Sequence, residues 1–375
     1  MKIMFICGSL EPGRDGVGDY TRRLARELTN NSVNIAIAAI NDGHILDTVQ
    51  NKWSIGDSEI DILRLPASMD DDQSFNLLKK KVDQFDPQWL SVQYVPFSFH
   101  SKGLPFGFAK RLATLTKDRK IEIMVHEIAV GMPVGSRLKE MLWGKTQKLL
   151  LANLLKVLQP QVVHTHTTVY KRQLEKFGAV VTILPLFSNI HVNYPDLVHE
   201  KLIDKTPNNS KIDLLVFASV QLGAPIKQFA EEAAMLFKQT GIQLRMVFLG
   251  RSGKAQADWL NEWKAVGLEV LELGEQSEDE VSKILAQARY GVFSTPLVLA
   301  GKSGAVAAMR EHGVTLICVS GKWEARGINV SENPFAITEY KHGNLARFFA
   351  IEGSFSYLPT LPIVTKQFMS DLKIN

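Results

Sequence analysis

Short apolar runs alternate along the chain with longer stretches in which apolar positions recur every third or fourth residue. KIMFIC precedes a helical pattern over residues 19–28, and VNIAIAAI follows it. DILRLP leads into FNLLKKKVDQF, WLSVQYV into GLPFGFAKRLATL, and IEIMVHEI into SRLKEMLWGKTQKLLLANLLKVLQ; QVVHTH then leads into VYKRQLEKF. Strand-sized runs interleaved with helices predict a parallel sheet with right-handed crossovers. The rhythm stops near VTILPLFSNI, and residues 191–211, rich in Pro, Asn and charge, predict an interdomain linker. A second set follows without detectable repeat: KIDLLVFASV, QLRMVFLG, LEVLELG, YGVFSTP and VTLICVS, separated by helical patterns. Residues 367–372 close the chain as a short amphipathic stretch. The fold class expected is α/β, with two doubly wound, Rossmann-like domains facing across a cleft and ligands beyond the carboxyl ends of the strands. The expected spans are 1–195, 196–345 and a terminal segment, 346–375.

A length of 375 residues fits two domains, and 45% hydrophobic with 22% charged residues is ordinary for a globular chain. No window holds enough uncharged apolar residues to cross a membrane, and the apolar start before Gly8 is too short for a secretory signal. Cys7 and Cys318 lie in apolar, strand-like runs and predict buried thiols in a reducing cytosol. The expected location is therefore cytoplasmic. Charge is unevenly spread. Residues 41–100 hold 5 Lys/Arg against 10 Asp/Glu, and residues 101–180 hold 14 against 5. That asymmetry points to an anionic surface or substrate near the second stretch. There, Leu138, Met141, Leu142, Leu149, Leu154 and Leu155 keep helical spacing, with Trp143, Arg137, Lys139, Lys145, Lys148 and Lys156 interspersed. Residues 134–159 read either as a packed helix with a charged outer face or as a peripheral contact at the inner membrane face. Nucleic acid is not an expected partner, since no reader motif is present.

The stretch GSLEPGRDGVGDYTRRLARELT breaks an apolar run with glycines and restarts as a helix. Gly16 and Gly18 stand just before Asp19, which is positioned to cap a helix over residues 20–28. Glycines there would let a ligand approach, and helix-start amides suit phosphate or a sugar hydroxyl. The spacing is not GxGxxG, and no acidic residue follows at the end of the next strand, so a dinucleotide is not expected. His126 and Glu127 end a strand, where a neutral imidazole suits a sugar hydroxyl. His164 and His166 share a strand face, but a metal would need a third ligand and none is near. Asp70 and Asp72 in MDDDQ precede a helical pattern and read as capping acids. No metal is expected. Gly301, Lys302, Ser303 and Gly304 open a helix with amides, a hydroxyl and an ammonium, a plausible cradle for a diphosphate without being a Walker motif.

The first strand followed by EPGRDGVGDYTRRLARELT resembles the opening unit of family 4 glycosyltransferases of the GT-B fold. The two-domain rhythm, the linker and a terminal segment returning to the first domain are similar too. The resemblance implies a glycine pair, Gly16 and Gly18, that meets donor phosphate or acceptor, and a catalytic His126 near the donor sugar. FASVQLGAPIKQFAEEA resembles the segment that carries an Arg and a Lys for the diphosphate. Lys227 matches the Lys, and Arg251 in FLGRSG is a substitute for the unmatched Arg. STPLVLAGKSGAVAAMREHGV matches the loop and helix that ordinarily hold two glutamates eight residues apart, here Leu299 and Ala307. Gly301, Lys302, Ser303 and Gly304 remain for the diphosphate, with Tyr94 and Glu127 on the acceptor side. The activity so implied is transfer of a sugar, with retention, from a nucleoside-diphosphate donor to a hydroxyl of a glycan or lipid-linked glycan. Neither cofactor nor metal is required. The lost glutamates keep a catalytically silent nucleotide-sugar or glycan binder open, and a sugar-nucleotide epimerase on the same fold is a further alternative.

Overall fold

A computed structural model describes residues 1–55, 58–203, 211–251, 253–333, 335–350 and 360–373. The chain forms two compact units. The first comprises Met1–Pro185, Glu324–Val330 and Leu361–Asn375, and the second Leu186–Trp323 and Ser331–Thr360.

The first unit runs β1 (Lys2–Cys7), α1 (Gly16–Asn30), β2 (Asn34–Asp42), β3 (Val49–Ile55), β4 (Ser58–Pro66), α2 (Asp71–Phe85) and β5 (Trp89–Tyr94). It continues with α3 (Phe108–Ala113), β6 (Lys120–Val125), α4 (Leu138–Leu158), β7 (Val162–Thr165), α5 (Thr168–Glu175) and β8 (Thr182–Ile183). The sheet order is β3-β4-β2-β1-β5-β6-β7-β8, parallel except where β3 runs antiparallel to β4. β1 and β5 are buried along nearly their whole length because helices cover both sheet faces, which is why they read as unbroken apolar runs. From β1 the chain first winds outward through β2 and β4, then crosses back to β5. The strand order therefore reverses between β1 and β5, and the loops at their carboxyl ends meet there. At that meeting a Cβ on Gly8 would lie 2.4 Å from the Ser98 carbonyl oxygen, so only glycine fits.

The second unit runs α6 (Pro195–Ile203), β9 (Lys211–Phe217), α7 (Ile226–Thr240), β10 (Gln243–Leu249), α8 (Gln256–Ala265), β11 (Glu269–Gly274) and α9 (Glu278–Gln287). β12 (Tyr290–Phe293), α10 (Gly304–Glu311), β13 (Thr315–Cys318), β14 (Thr338–Glu339) and α11 (Leu345–Ala350) follow, whereas α12 (Thr360–Asp371) belongs from Leu361 onward to the first unit. Its sheet is parallel throughout, in the order β11-β10-β9-β12-β13-β14, and reverses between β9 and β12. Alternate strand residues feed two cores. Leu214, Val216, Met246 and Phe248 pack with Phe229, Trp259 and Trp263, whereas Leu215, Val247 and Leu249 pack with Leu285, Val306 and Met309.

Two expectations change. Residues 191–211 are not simply a linker: Pro195–Ile203 is helical, and the fully buried Val198 packs with Ala286 of α9. Residues 204–210 of that stretch lie outside the described residues. The strand β3 had no counterpart in the sequence pattern. Cys7 and Cys318 are free, buried thiols as expected, and Asp70 caps α2 by accepting from the amides of Asp72 and Gln73.

Candidate functional site

In the first unit, α1 begins earlier than expected, and its cap is Asp15 rather than Asp19. The Asp15 carboxylate accepts from the Gly18 amide at 2.7 Å. Burial pushes this carboxyl up, against the pull of the helix-start amides. Asp19 instead turns back to the Gly13 amide at 3.2 Å and pairs with Arg22. A carboxylate therefore already occupies the helix start where a phosphate would sit. The two glycines differ. A Cβ at Gly18 would stand 2.5 Å from the Ser9 carbonyl oxygen, so Gly18 lets α1 lie against the loop after β1; a Cβ at Gly16 would meet open space.

The same loop is held from below by a residue the sequence reading missed. An acidic residue does end the next strand: Asp42 is the last residue of β2. Its buried carboxylate accepts from Ser9 Oγ (3.0 Å), the amides of Leu10 and His44 (both 3.1 Å) and Arg64 Nε (2.7 Å). Arg64 also reaches Glu11 at 2.7 Å. Burial alone would raise the Asp42 carboxyl, but Arg64 and the three other donors hold it below the usual range. Its oxygens are spent inside the unit and are not offered to a ribose.

His126 follows β6 and is buried, with both ring nitrogens engaged. Nδ1 lies 3.0 Å from His166 Nε2, and Nε2 lies 2.9 Å from Gln93 Oε1; Tyr20 stands edge-on to the ring at 4.9 Å. His166 continues to the Leu184 carbonyl oxygen at 2.9 Å. On the other side, Gln93 donates to Ser91 Oγ at 2.8 Å and Ser91 to Glu122 at 2.5 Å. Glu122 meets His164 at 3.0 Å, and His164 meets Asp371 of α12 at 3.0 Å. Burial would lower the His164 imidazole, but the two carboxylates outweigh it and raise it above 6.5. β7 ends at Thr165, so only His164 lies on that strand and His166 follows it, yet both belong to one internal chain with His126. Among the described residues no group of three metal-ligating side chains is present. Glu127 is half-buried. Tyr94 is buried at the end of β5, which pushes its phenol up, and lines a small cavity with Phe108, Leu150 and Leu154.

In the second unit the candidates lie at the carboxyl edge of one parallel sheet. Lys227 is exposed in the first turn of α7, after β9. Arg251 follows β10 and pairs with Glu275 at 3.1 Å, both largely exposed. Gly301 and Lys302 end a 3₁₀ turn after β12, Ser303 caps α10 by accepting from the Val306 amide at 3.4 Å, and the exposed Gly304 is the first residue of that helix. Three separate strands deliver these groups to the edge where the order reverses. The loop after β9 is strained there: Ala218 takes a left-handed backbone with φ of 64°. It is braced by Ser294 Oγ, which accepts from the Gln221 amide at 2.7 Å, and a Cβ on Gly321 would lie 2.6 Å from the Gly223 carbonyl oxygen. Ser294 and Ala218 were not singled out from sequence; only the small-residue run ASVQLGAP hinted at a tight loop. Leu299 is half-buried and Ala307 buried, so neither position offers a carboxylate. α10 does carry Glu311, which accepts from the Ser188 amide at 2.8 Å.

Two Rossmann-like units of this topology define the GT-B fold, and solved structures share it over the whole chain. HepE of Anabaena, in complex with UDP and glucose, matches with a TM-score of 0.58 at 12% identity, over 100% of this chain and 99% of its own. The UDP-forming trehalose-phosphate synthase of Burkholderia xenovorans, with glucose-6-phosphate, gives 0.58 at 11%, over 99% of each chain. UDP-GlcNAc 2-epimerase of Neisseria meningitidis, bound to UDP-GlcNAc, gives 0.52 at 10%, over 100% of each. No family model and no curated protein matches the sequence. Among the described residues no helix is long and apolar enough to cross a membrane.

Proposed function

We propose that the protein is a glycosyltransferase that moves a sugar from a nucleoside-diphosphate donor to a hydroxyl acceptor, a glycan or lipid-linked glycan. The observation that carries this reading is the delivery of Lys227, Lys302, Ser303 and the α10 helix start to the carboxyl edge of the second sheet at its point of reversal. Such an edge binds ligands in open α/β sheets, and amides with ammonium groups meet the charge that grows on a leaving diphosphate. The exposed Gly304 leaves the backbone accessible there, with Gly301 buried behind it, and Arg251 adds a cation once it leaves Glu275. In the first unit, Gly16 would face a sugar hydroxyl rather than phosphate, because Asp15 holds the helix start, while the buried Gly18 serves the packing of α1. Glu127 and His126 would line the acceptor side, whereas Tyr94, buried with Phe108 and Leu154, would not touch an acceptor. His126 would act as a wall whose ring is oriented by Gln93 and His166, reaching the reacting centre only if one of those bonds opens. Retention and freedom from a metal follow from the family resemblance: the acceptor attacks on the face the diphosphate leaves, and the leaving phosphate helps take its proton.

Incubation with a panel of UDP-, GDP- and ADP-sugars tests the reading. Transfer or slow hydrolysis that Lys302→Ala abolishes is the expected result, with nucleoside diphosphate bound about tenfold more weakly or worse by that variant. Binding without turnover would point instead to a silent relative, which Leu299 and Ala307 favour. The likeness to an epimerase gives a third outcome, an epimerised sugar nucleotide formed with no acceptor present. The reading also includes a peripheral membrane contact through residues 134–159, which would bring the enzyme to a lipid-linked acceptor.

A further inference from the structure

α4 buries one face through Gly144, Gln147, Leu151, Leu154, Leu155 and Leu158. Its outer face is not simply charged. Leu138, Leu142 and Leu149 are 69, 60 and 62% exposed, and Val134, just ahead of the helix, is 59% exposed. At helical spacing the three leucines fall within about 40° of one another, and the exposed Lys145 and Lys156 lie in the same stripe. Beside it sits the half-buried Lys148, whose ammonium is lowered by burial and by Lys176 and Arg326. The exposed Lys176 also donates to the Gly327 carbonyl oxygen at 2.6 Å.

We propose that this face of α4 docks on an anionic bilayer, with the leucines and Val134 entering the headgroup boundary and Lys148, Lys176 and Arg326 meeting lipid phosphates. Exposed apolar side chains beside clustered cations match the layering of such a surface, apolar beneath and negative above. A second copy of the chain fits less well, because a two-fold contact would bring Lys145 and Lys156 against lysines of the same stripe. The inference gives residues to the membrane contact of the reading above and does not require the transfer reaction.

Co-sedimentation of the full chain with vesicles, without sugar nucleotide, tests it. Pelleting is expected with equal parts phosphatidylcholine and phosphatidylglycerol, not with phosphatidylcholine alone, and it should weaken in high salt. The exposed pair Lys176→Gln with Arg326→Gln should bind about 30-fold more weakly, at about 1 kcal/mol for each cation. Leu142→Gln with Leu149→Gln should bind at least about tenfold more weakly, with circular dichroism unchanged in both. Equal pelleting with both lipids, or both double variants binding like the parent, overturns the proposal. So does a dimer that the leucine pair abolishes in a chain that ignores vesicles. A chain that transfers sugar but ignores vesicles loses only the membrane face, and one that binds vesicles but transfers nothing loses only the transferase reading.

Discussion

Gly16 and Gly18 look alike in sequence and differ in what surrounds them. At Gly18 a methyl group would collide with the Ser9 carbonyl oxygen, whereas at Gly16 it would find open space. Gly18→Ala should therefore cost about 1–3 kcal/mol of stability, and Gly16→Ala should stay within about 0.5 kcal/mol. Urea unfolding of the two variants checks this, and equal losses would sink the distinction. Asp42 shows the same dependence on context. Its lowered carboxyl contributes stability that is fully present above the ordinary carboxylate value and is lost as pH falls through the folded value. Asp42→Asn leaves the half-buried Arg64 with only Glu11 and should cost about 1–3 kcal/mol, with a flatter acid limb in the pH–stability curve. The glycine turn was legible from residue types alone. The partners that explain it were not, because Asp42 lies beyond the point where the apolar run VNIAIAAI stops, and Asp15 could be told from Asp19 as the cap only by backbone geometry.

At the scale of elements, the buried chain from Leu184 through His166, His126, Gln93, Ser91, Glu122 and His164 ties β5, β6 and β7 to α12. Seven hydrogen bonds link these eight groups. Three neutral imidazoles, one amide facing each neighbour once and one hydroxyl supply five protons along that line, two short of the seven links. The chain ends in carbonyl and carboxylate acceptors and contains two carboxylates, Glu122 and Asp371, so two further protons would complete the bonds and cancel the charge. His164, held between Glu122 and Asp371, donates from both ring nitrogens only as the imidazolium. The raised His164 imidazole agrees with this. A group raised in the folded state contributes stability below its ordinary 6.5, and that stability fades as pH climbs through the folded value. The protection of α12 amides, taken relative to the base-catalysed rate of an unfolded chain at each pH, should therefore fall as pH rises through the raised His164 value, and His164→Asn should remove that fall while loosening α12 at every pH. A parent α12 whose protection ignores pH would refute the assignment. None of this chain was visible from spacing, since His126 and His166 stand 40 residues apart and His164 and Asp371 stand 207 apart.

At the scale of the whole molecule, the alternation of apolar runs and helical patterns was enough to identify two doubly wound units, because parallel strands covered on both faces must be apolar throughout. The exceptions are elements without that cover. β3 is a polar, antiparallel edge strand, VQNKWSI, and α6 hides in a Pro- and Asn-rich stretch, where a single fully buried residue, Val198, anchors it. The candidates singled out from sequence, Lys227, Arg251 and residues 301–304, fall at the carboxyl edge of the second sheet. The loop that completes the edge was missed, because strain at Ala218 and the brace from Ser294 are properties of the folded backbone. That edge leads to a prediction about the whole chain. UDP, the nucleotide bound in a solved structure of the same fold, should slow amide exchange in residues 218–225, 294–304 and the first turn of α7. It should leave the β3–β4 hairpin and the outer face of α4 unchanged. At a hundredfold excess over the dissociation constant the binding unit gains about 2.7 kcal/mol against opening, enough to read peptide by peptide. Protection confined to the opening loop around Gly16, with none at residues 294–304, would move the nucleotide to the first unit. The donor-side roles of Lys227 and Lys302 would then fall with it.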